Sequence, residues 1–195
     1  SLRRQRQMCI RDSVKIAIDN SKNKDGLDYG RTRITVSTVG VGIKKDDIDA
    51  IEWAAKELDV YLAWSLHSSI PKHRSEIMPI NEKYSIESLI PQLKKYYDHT
   101  KLPIFIEWIC LEENMTEEQA KELIKIMKKV PSKLNLIEFN PLSNKNFKPA
   151  SRENIEKFSK TIQDNGFLSL FRRSRGRDIN ASCGSLANKK SVINE

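Results

Sequence analysis

Cysteine is scarce in this chain: Cys9, Cys110 and Cys183 are the only three in 195 residues, odd in number and widely spaced. That pattern excludes a disulfide framework and a zinc site, and a reducing cytoplasm is the simplest compartment for it. No apolar run approaches the roughly 20 residues of a membrane span, so no membrane partner is expected. The opening residues carry arginines but neither an apolar core segment nor a small-residue cleavage site, so they are not expected to be a secretory signal. No internal repeat and no low-complexity tract interrupts the sequence.

What remains is an ordinary folding domain with a basic excess. A hydrophobic fraction of 38% and a charged fraction of 31% belong to a water-soluble chain able to bury a core. The formal net charge of +8 favours a polyanionic partner. Residues 1–13 have no hydrophobic period and begin without methionine. They read as a non-native, adaptor-like segment, with residues 14–195 forming the domain proper. The alternative is a genuine basic arm built on Arg3, Arg4, Arg6 and Arg11.

From residue 14 onward, strands and helices alternate. Residues 14–20 read as the end of a helix and 21–30 as a polar loop. Strands are predicted at 32–36, 60–66, 104–111, 133–139 and 167–171. Helices are predicted at 46–58, 85–97, 116–129 and 151–165, with Ser85, Thr116 and Ser151 as N-caps. Thr116-Glu-Glu-Gln fits a capping box, and Gly166 stands just past the last helix. Short strands separated by helices of 10–15 residues mean βαβ units and a parallel sheet, an α/β fold.

In such folds ligands sit at the carboxyl ends of the strands. Ser37, Ser65, His67 and Asn140 fall at or just beyond three such ends and converge on one rim. Each also has a plain structural reading: Ser37 as a loop hydroxyl, His67 as a polar core residue. Near the C-terminus, Arg172, Arg173, Arg175 and Arg177 precede Cys183, which is flanked by small residues. Arginine forks bind phosphate bidentately, and cations bias a neighbouring cysteine toward thiolate. The combination reads as a nucleophile aimed at RNA or a phosphorylated substrate, or as a basic tail around a buried cysteine. Cys110, Trp53, Trp108 and Trp64 read as packing residues. The Lys94-Lys95-Tyr96-Tyr97 run and the lysines of 125–129 read as solvated helix faces.

Four blocks in one order resemble the radical-SAM RNA adenine-C2 methyltransferases of the RlmN type. They are Arg33-Ile-Thr-Val-Ser-Thr-Val-Gly-Val; Ala63-Trp-Ser-Leu-His-Ser with Arg74-Ser-Glu-Ile-Met-Pro-Ile-Asn; Lys133-Leu-Asn-Leu-Ile-Glu-Phe-Asn-Pro; and Arg173-Ser-Arg-Gly-Arg-Asp-Ile-Asn-Ala-Ser-Cys-Gly-Ser-Leu-Ala. The resemblance implies the later strands and helices of a partial (β/α)₆ radical-SAM barrel, truncated on its N-terminal side. It implies S-adenosylmethionine contacts from Ser37, Ser65, Leu66, His67 and Asn140. It makes Cys183 the catalytic, methyl-carrying cysteine of a reaction that methylates C2 of adenine in 23S rRNA and tRNA. Arg172, Arg173, Arg175 and Arg177 would then hold RNA by its phosphates, without specifying the base. One departure is local: Ala-Ser-Cys-Gly-Ser stands where Ala-Ala-Cys-Gly-Gln is usual.

The family also needs a 4Fe–4S cluster held by Cys-x₃-Cys-x₂-Cys and an electron donor to reduce it. No such spacing occurs here, and clusters require thiolate ligands. The cluster ligands are expected in a preceding half, and the polypeptide as given is expected to be inactive. Two rivals stand beside the C2 reading. One is the related C8-directed rRNA adenine methyltransferase. The other is a non-catalytic RNA-binding remnant that has no need of Cys183.

Overall fold

The computed structural model describes residues 2–40, 50–139 and 147–172, with backbone alone described for 2–10 and 50. Within them, β-branched and aromatic segments form five parallel strands: β1 (Thr35–Thr38), β2 (Tyr61–Ser65), β3 (Ile104–Cys110), β4 (Ser132–Glu138) and β5 (Ser169–Arg172). Amphipathic helices connect them: α2 (Ala50–Glu57), the short α3 (Pro71–Ile77), α4 (Ile86–Thr100), α5 (Glu117–Lys129) and α6 (Arg152–Asp164). A long α1 (Leu2–Lys22) precedes the sheet. Ser85, Thr116 and Ser151 each accept a hydrogen bond from the backbone N–H three residues on, as the sequence predicts.

The strand order is β1-β2-β3-β4-β5, strictly sequential with no switch point. A doubly wound sheet reverses its order and covers both faces with helices. Here one face alone is packed. Trp64, Ile106, Trp108, Leu134 and Leu136 point into a single core shared with Leu89, Leu93, Leu123, Phe158 and Ile162 of the helices. Sequential parallel strands with α2, α4, α5 and α6 packed on one side are an arc of a barrel wall, the α/β architecture expected from the sequence. The opposite face, turned inward on the arc, is partly open and mixes apolar with polar side chains.

Three details depart from the sequence reading. The first strand starts later than 32–36, because Arg31–Arg33 form a 3₁₀ turn and pairing begins at Thr35. The turn brings Arg31 into contact with the Asp59 carboxylate and the Thr100 carbonyl, a tertiary tie that strand propensity does not encode. The segment after β2 contains α3 and a second 3₁₀ turn, Pro79–Glu82, where no element was predicted. Tyr96 is not on a solvated face. It is buried, and its hydroxyl donates to the Val60 carbonyl, while Lys94 and Lys95 are exposed as expected. The α1 backbone stays helical back to Leu2, through the segment excluded from the fold by its sequence. Residues 46–49 of the predicted second helix lie outside the described residues.

Candidate functional site

Strand register decides which side chains share the open face. Alternation places Thr35 and Ser37 of β1, Tyr61, Ala63 and Ser65 of β2, and Phe105, Glu107 and Ile109 of β3 on that side. Lys133, Asn135 and Ile137 of β4, with Leu170 and Arg172 of β5, complete it. Toward the amino ends of the strands, Tyr61 and Phe105 meet edge to face at 5.0 Å, and Lys133 sits 5.8 Å above the Phe105 ring. Toward the carboxyl ends the face turns polar. Ser65, Glu107 and Asn135 lie in one register row, with Ser37 exposed one row below at β1.

Beyond Ser65 the chain makes a tight turn. His67 adopts φ +58°, a left-handed conformation that costs most side chains free energy. The turn is held from three sides. The Glu107 carbonyl accepts from the Leu66 and His67 N–H groups at 3.1 and 3.3 Å, and the Leu66 carbonyl accepts from the Ser68 N–H at 2.8 Å. Asn114, fully buried, donates its amide to the His67 and Ile109 carbonyls. Gln119 accepts the Ser69 N–H at 2.9 Å from below.

These contacts determine the state of His67. Its Nδ1 accepts the Ile109 N–H at 3.1 Å, so the ring proton of the neutral form sits on Nε2. Burial, and secondarily the charge of Arg74, lower its pKa to about 4. His67 is therefore neutral at physiological pH and offers a ligand a single N–H donor. Leu66 differs: its side chain is in the core and both its backbone polar groups are already bonded.

Arg74 holds the turn from behind and has 0% of its surface exposed. Its guanidinium donates to the Leu66 carbonyl (3.1 Å), Asn81 Oδ1 (2.7 Å), and the Tyr84, Val39 and Ser65 carbonyls (3.5, 3.1 and 3.3 Å). No carboxylate faces it among the described residues; five oxygens share its charge instead. Burial lowers its pKa to about 10, which leaves it charged at neutral pH. One side chain thus ties the ends of β1 and β2 together. The sequence shows this arginine in a recognisable block with Asn81 but does not reveal its role, since the carbonyls it binds carry no residue signature.

Of the predicted site residues, Ser37, Ser65, Leu66 and His67 are gathered at one end of the open face. Arg172 ends β5 on that face, in the register row of Ile109 and Ile137, and is exposed. Asn140, Arg173, Arg175, Arg177 and Cys183 lie outside the described residues. Cys110 is buried and its thiol is pushed up to about 12 by burial and the nearby Glu138, the chemistry of a packed hydrophobe. Glu107 and Asn135 escaped the sequence reading. The signal was a carboxylate inside an otherwise apolar strand, Ile104-Phe-Ile-Glu-Trp-Ile-Cys. Among the described residues, no group of three or more His, Cys, Asp or Glu side chains could hold a metal ion.

The chain resembles known proteins in sequence and in fold. It is 40% identical over 182 residues to a probable dual-specificity RNA methyltransferase RlmN of Flavobacterium psychrophilum, covering 92% of this chain and 50% of that protein. Its likeness to the protein of the same name from Christiangramia forsetii is 39% over 181 residues, 91% of this chain and 49% of the other. A radical SAM methyltransferase from Sphaerobacter thermophilus superposes with a TM-score of 0.76 at 32% identity, over 85% of this chain and 47% of that one. A domain of a pyruvate-formate lyase-activating enzyme from Bacteroides vulgatus shares the fold alone, with a TM-score of 0.54 at 13% identity. No family model matches. The chain spans about half the length of the curated relatives it matches.

Proposed function

We propose that this chain, homologous over nearly its whole length to about half of the RlmN-named proteins, is the C-terminal half of a radical-SAM RNA adenine methyltransferase. The observation that carries the reading is the turn at Ser65–His67. Residues from separate blocks of the sequence meet there on the open face, in a geometry held by Arg74, Asn114 and the Glu107 carbonyl.

S-adenosylmethionine suits this rim. Its ribose hydroxyls and amino-acid end need donors and acceptors held in fixed positions. Ser37 and Ser65 supply hydroxyls and His67 a single Nε2–H, with Asn140 the fourth group on the family pattern. Cys183 supplies the nucleophile. Its thiolate sulfur attacks the methyl carbon of S-adenosylmethionine, the carbon–sulfonium bond breaks, and S-adenosylhomocysteine leaves as a neutral thioether. Arg172, Arg173, Arg175 and Arg177 hold the RNA substrate, 23S rRNA and tRNA, by its phosphates. The same reading takes residues 1–13 as foreign to the enzyme and sets it in the cytoplasm.

The 4Fe–4S cluster does not fit the residues of this sequence: three isolated cysteines cannot form its ligand loop. Its chemistry belongs to the other half of the longer protein, and the electron donor that reduces it is a partner of that full-length enzyme. The chain alone therefore does not turn over. The test is nucleoside mass spectrometry of RNA from cells that lack adenine-C2 methylation. The full-length protein containing this chain restores 2-methyladenosine, while Cys183→Ala and the chain alone do not. Appearance of 8-methyladenosine would reassign the carbon, and an activity that survives Cys183→Ala would favour the RNA-binding reading.

A further inference from the structure

We propose that Glu107, held in place by Asn135, recognises a positive charge on the ligand bound at this rim; the inference rests on the S-adenosylmethionine reading above. Glu107 occupies the centre of the row Ser65–Glu107–Asn135. Its own carbonyl anchors the Leu66 and His67 N–H groups, so its carboxylate projects from directly beside the turn onto the open face. The Asn135 amide nitrogen donates to both carboxylate oxygens, at 3.0 and 3.1 Å.

Two features make this pair a site rather than a filler. First, among the described residues the carboxylate has no cation within ion-pairing distance and no donor other than Asn135. A half-buried anion in the middle of a parallel sheet is costly unless a cation or several donors meet it. Second, the pair presents a net negative charge whose lone pairs are mostly unused, since one Asn135 amide group is shared between the two oxygens. A carboxylate has no proton to give, so the Asn135 Nδ2 must be the end that faces it, and Oδ1 is left to accept. The arrangement therefore selects for a ligand group that is positive or rich in donors, and it selects against an anion.

S-adenosylmethionine carries two positive centres, a sulfonium and an α-ammonium. Loss of the methyl group removes the first and keeps the second. A carboxylate that reads the sulfonium favours the methyl donor over its demethylated product, which promotes product release after transfer. One that reads the ammonium holds both alike.

Calorimetric titration of the chain and of Glu107→Gln with three ligands decides the matter. The ligands are S-adenosylmethionine, S-adenosylhomocysteine and 5′-methylthioadenosine, the last lacking both charges. Glutamine preserves the acceptor for Asn135, and an unchanged melting temperature verifies the fold. The expected result is about a tenfold loss of S-adenosylmethionine affinity in Glu107→Gln, with 5′-methylthioadenosine unaffected. S-adenosylhomocysteine then names the source: unaffected for the sulfonium, weakened in parallel for the ammonium. Asn135→Ala, which releases the carboxylate without discharging it, keeps the preference for the charged ligand. Equal losses for all three ligands, or none, overturn the inference and leave the function standing. A wild-type chain that binds none of them overturns both.

Discussion

Replacing Arg74 by methionine should cost more stability than any other single change at the site. Five oxygens accept from this guanidinium, but they do not lose equally. The Leu66 carbonyl keeps the Ser68 N–H, and the Tyr84 contact at 3.5 Å is long. Asn81 Oδ1 and the carbonyls of Val39 and Ser65 carry the loss. At about 1–3 kcal/mol for each buried acceptor left without a donor, those three sum to about 3–9 kcal/mol. Removing a buried charge that faces no carboxylate recovers part of this. The expected net destabilisation is about 4 kcal/mol, a large share of an ordinary domain's stability. Lysine should rescue little, because its three donors on a flexible stem cannot reproduce the planar fork. Urea unfolding followed by circular dichroism measures both variants. A loss below about 1 kcal/mol for Arg74→Met would mean that water or backbone relaxation satisfies those carbonyls, and the positioning argument would fail.

Three other outcomes follow from the same geometry. His67 has a folded pKa near 4 against 6.5 for the free side chain. Its contribution is constant above pH 6.5, is lost as pH falls toward 4, and amounts to about 3 kcal/mol in full. His67→Asn, which tolerates the left-handed backbone, should remove that acid-side slope from the pH profile of unfolding, and a slope unchanged would refute the neutral assignment. Gly40 has φ +84°, and an added Cβ would lie 2.4 Å from Cδ1 of the buried Leu89. Gly40→Ala should therefore lower stability by about 2 kcal/mol or more in thermal unfolding. Cys110 should resist iodoacetamide in the native chain and react only after denaturation, since its thiol is buried and raised to about 12; labelling mapped by peptide mass spectrometry at neutral pH decides it.

The family resemblance, the alternation of strands with helices and the three serine and threonine N-caps were legible in the chain before any coordinates. They rest on local rules: period-2 and period-3.6 patterning, and side-chain oxygens that satisfy the first turn of a helix. The convergence of Ser37, Ser65 and His67 was legible too, because ligands in parallel sheets collect where strands end. Tertiary structure alone decided the rest. Tyr96 lies in a run of lysines that reads as solvated, yet its hydroxyl meets the Val60 carbonyl across the core. Leu66 looks like one member of a ligand-contacting triplet, yet the core claims its side chain. Arg74 and Glu107 acquire their roles from partners distant in sequence or from backbone carbonyls, which have no residue identity to read. Local patterns determine elements because their energetics are local. The hydrogen-bond partners of a buried charge are set by the packing of several elements at once, and only the folded chain brings them together.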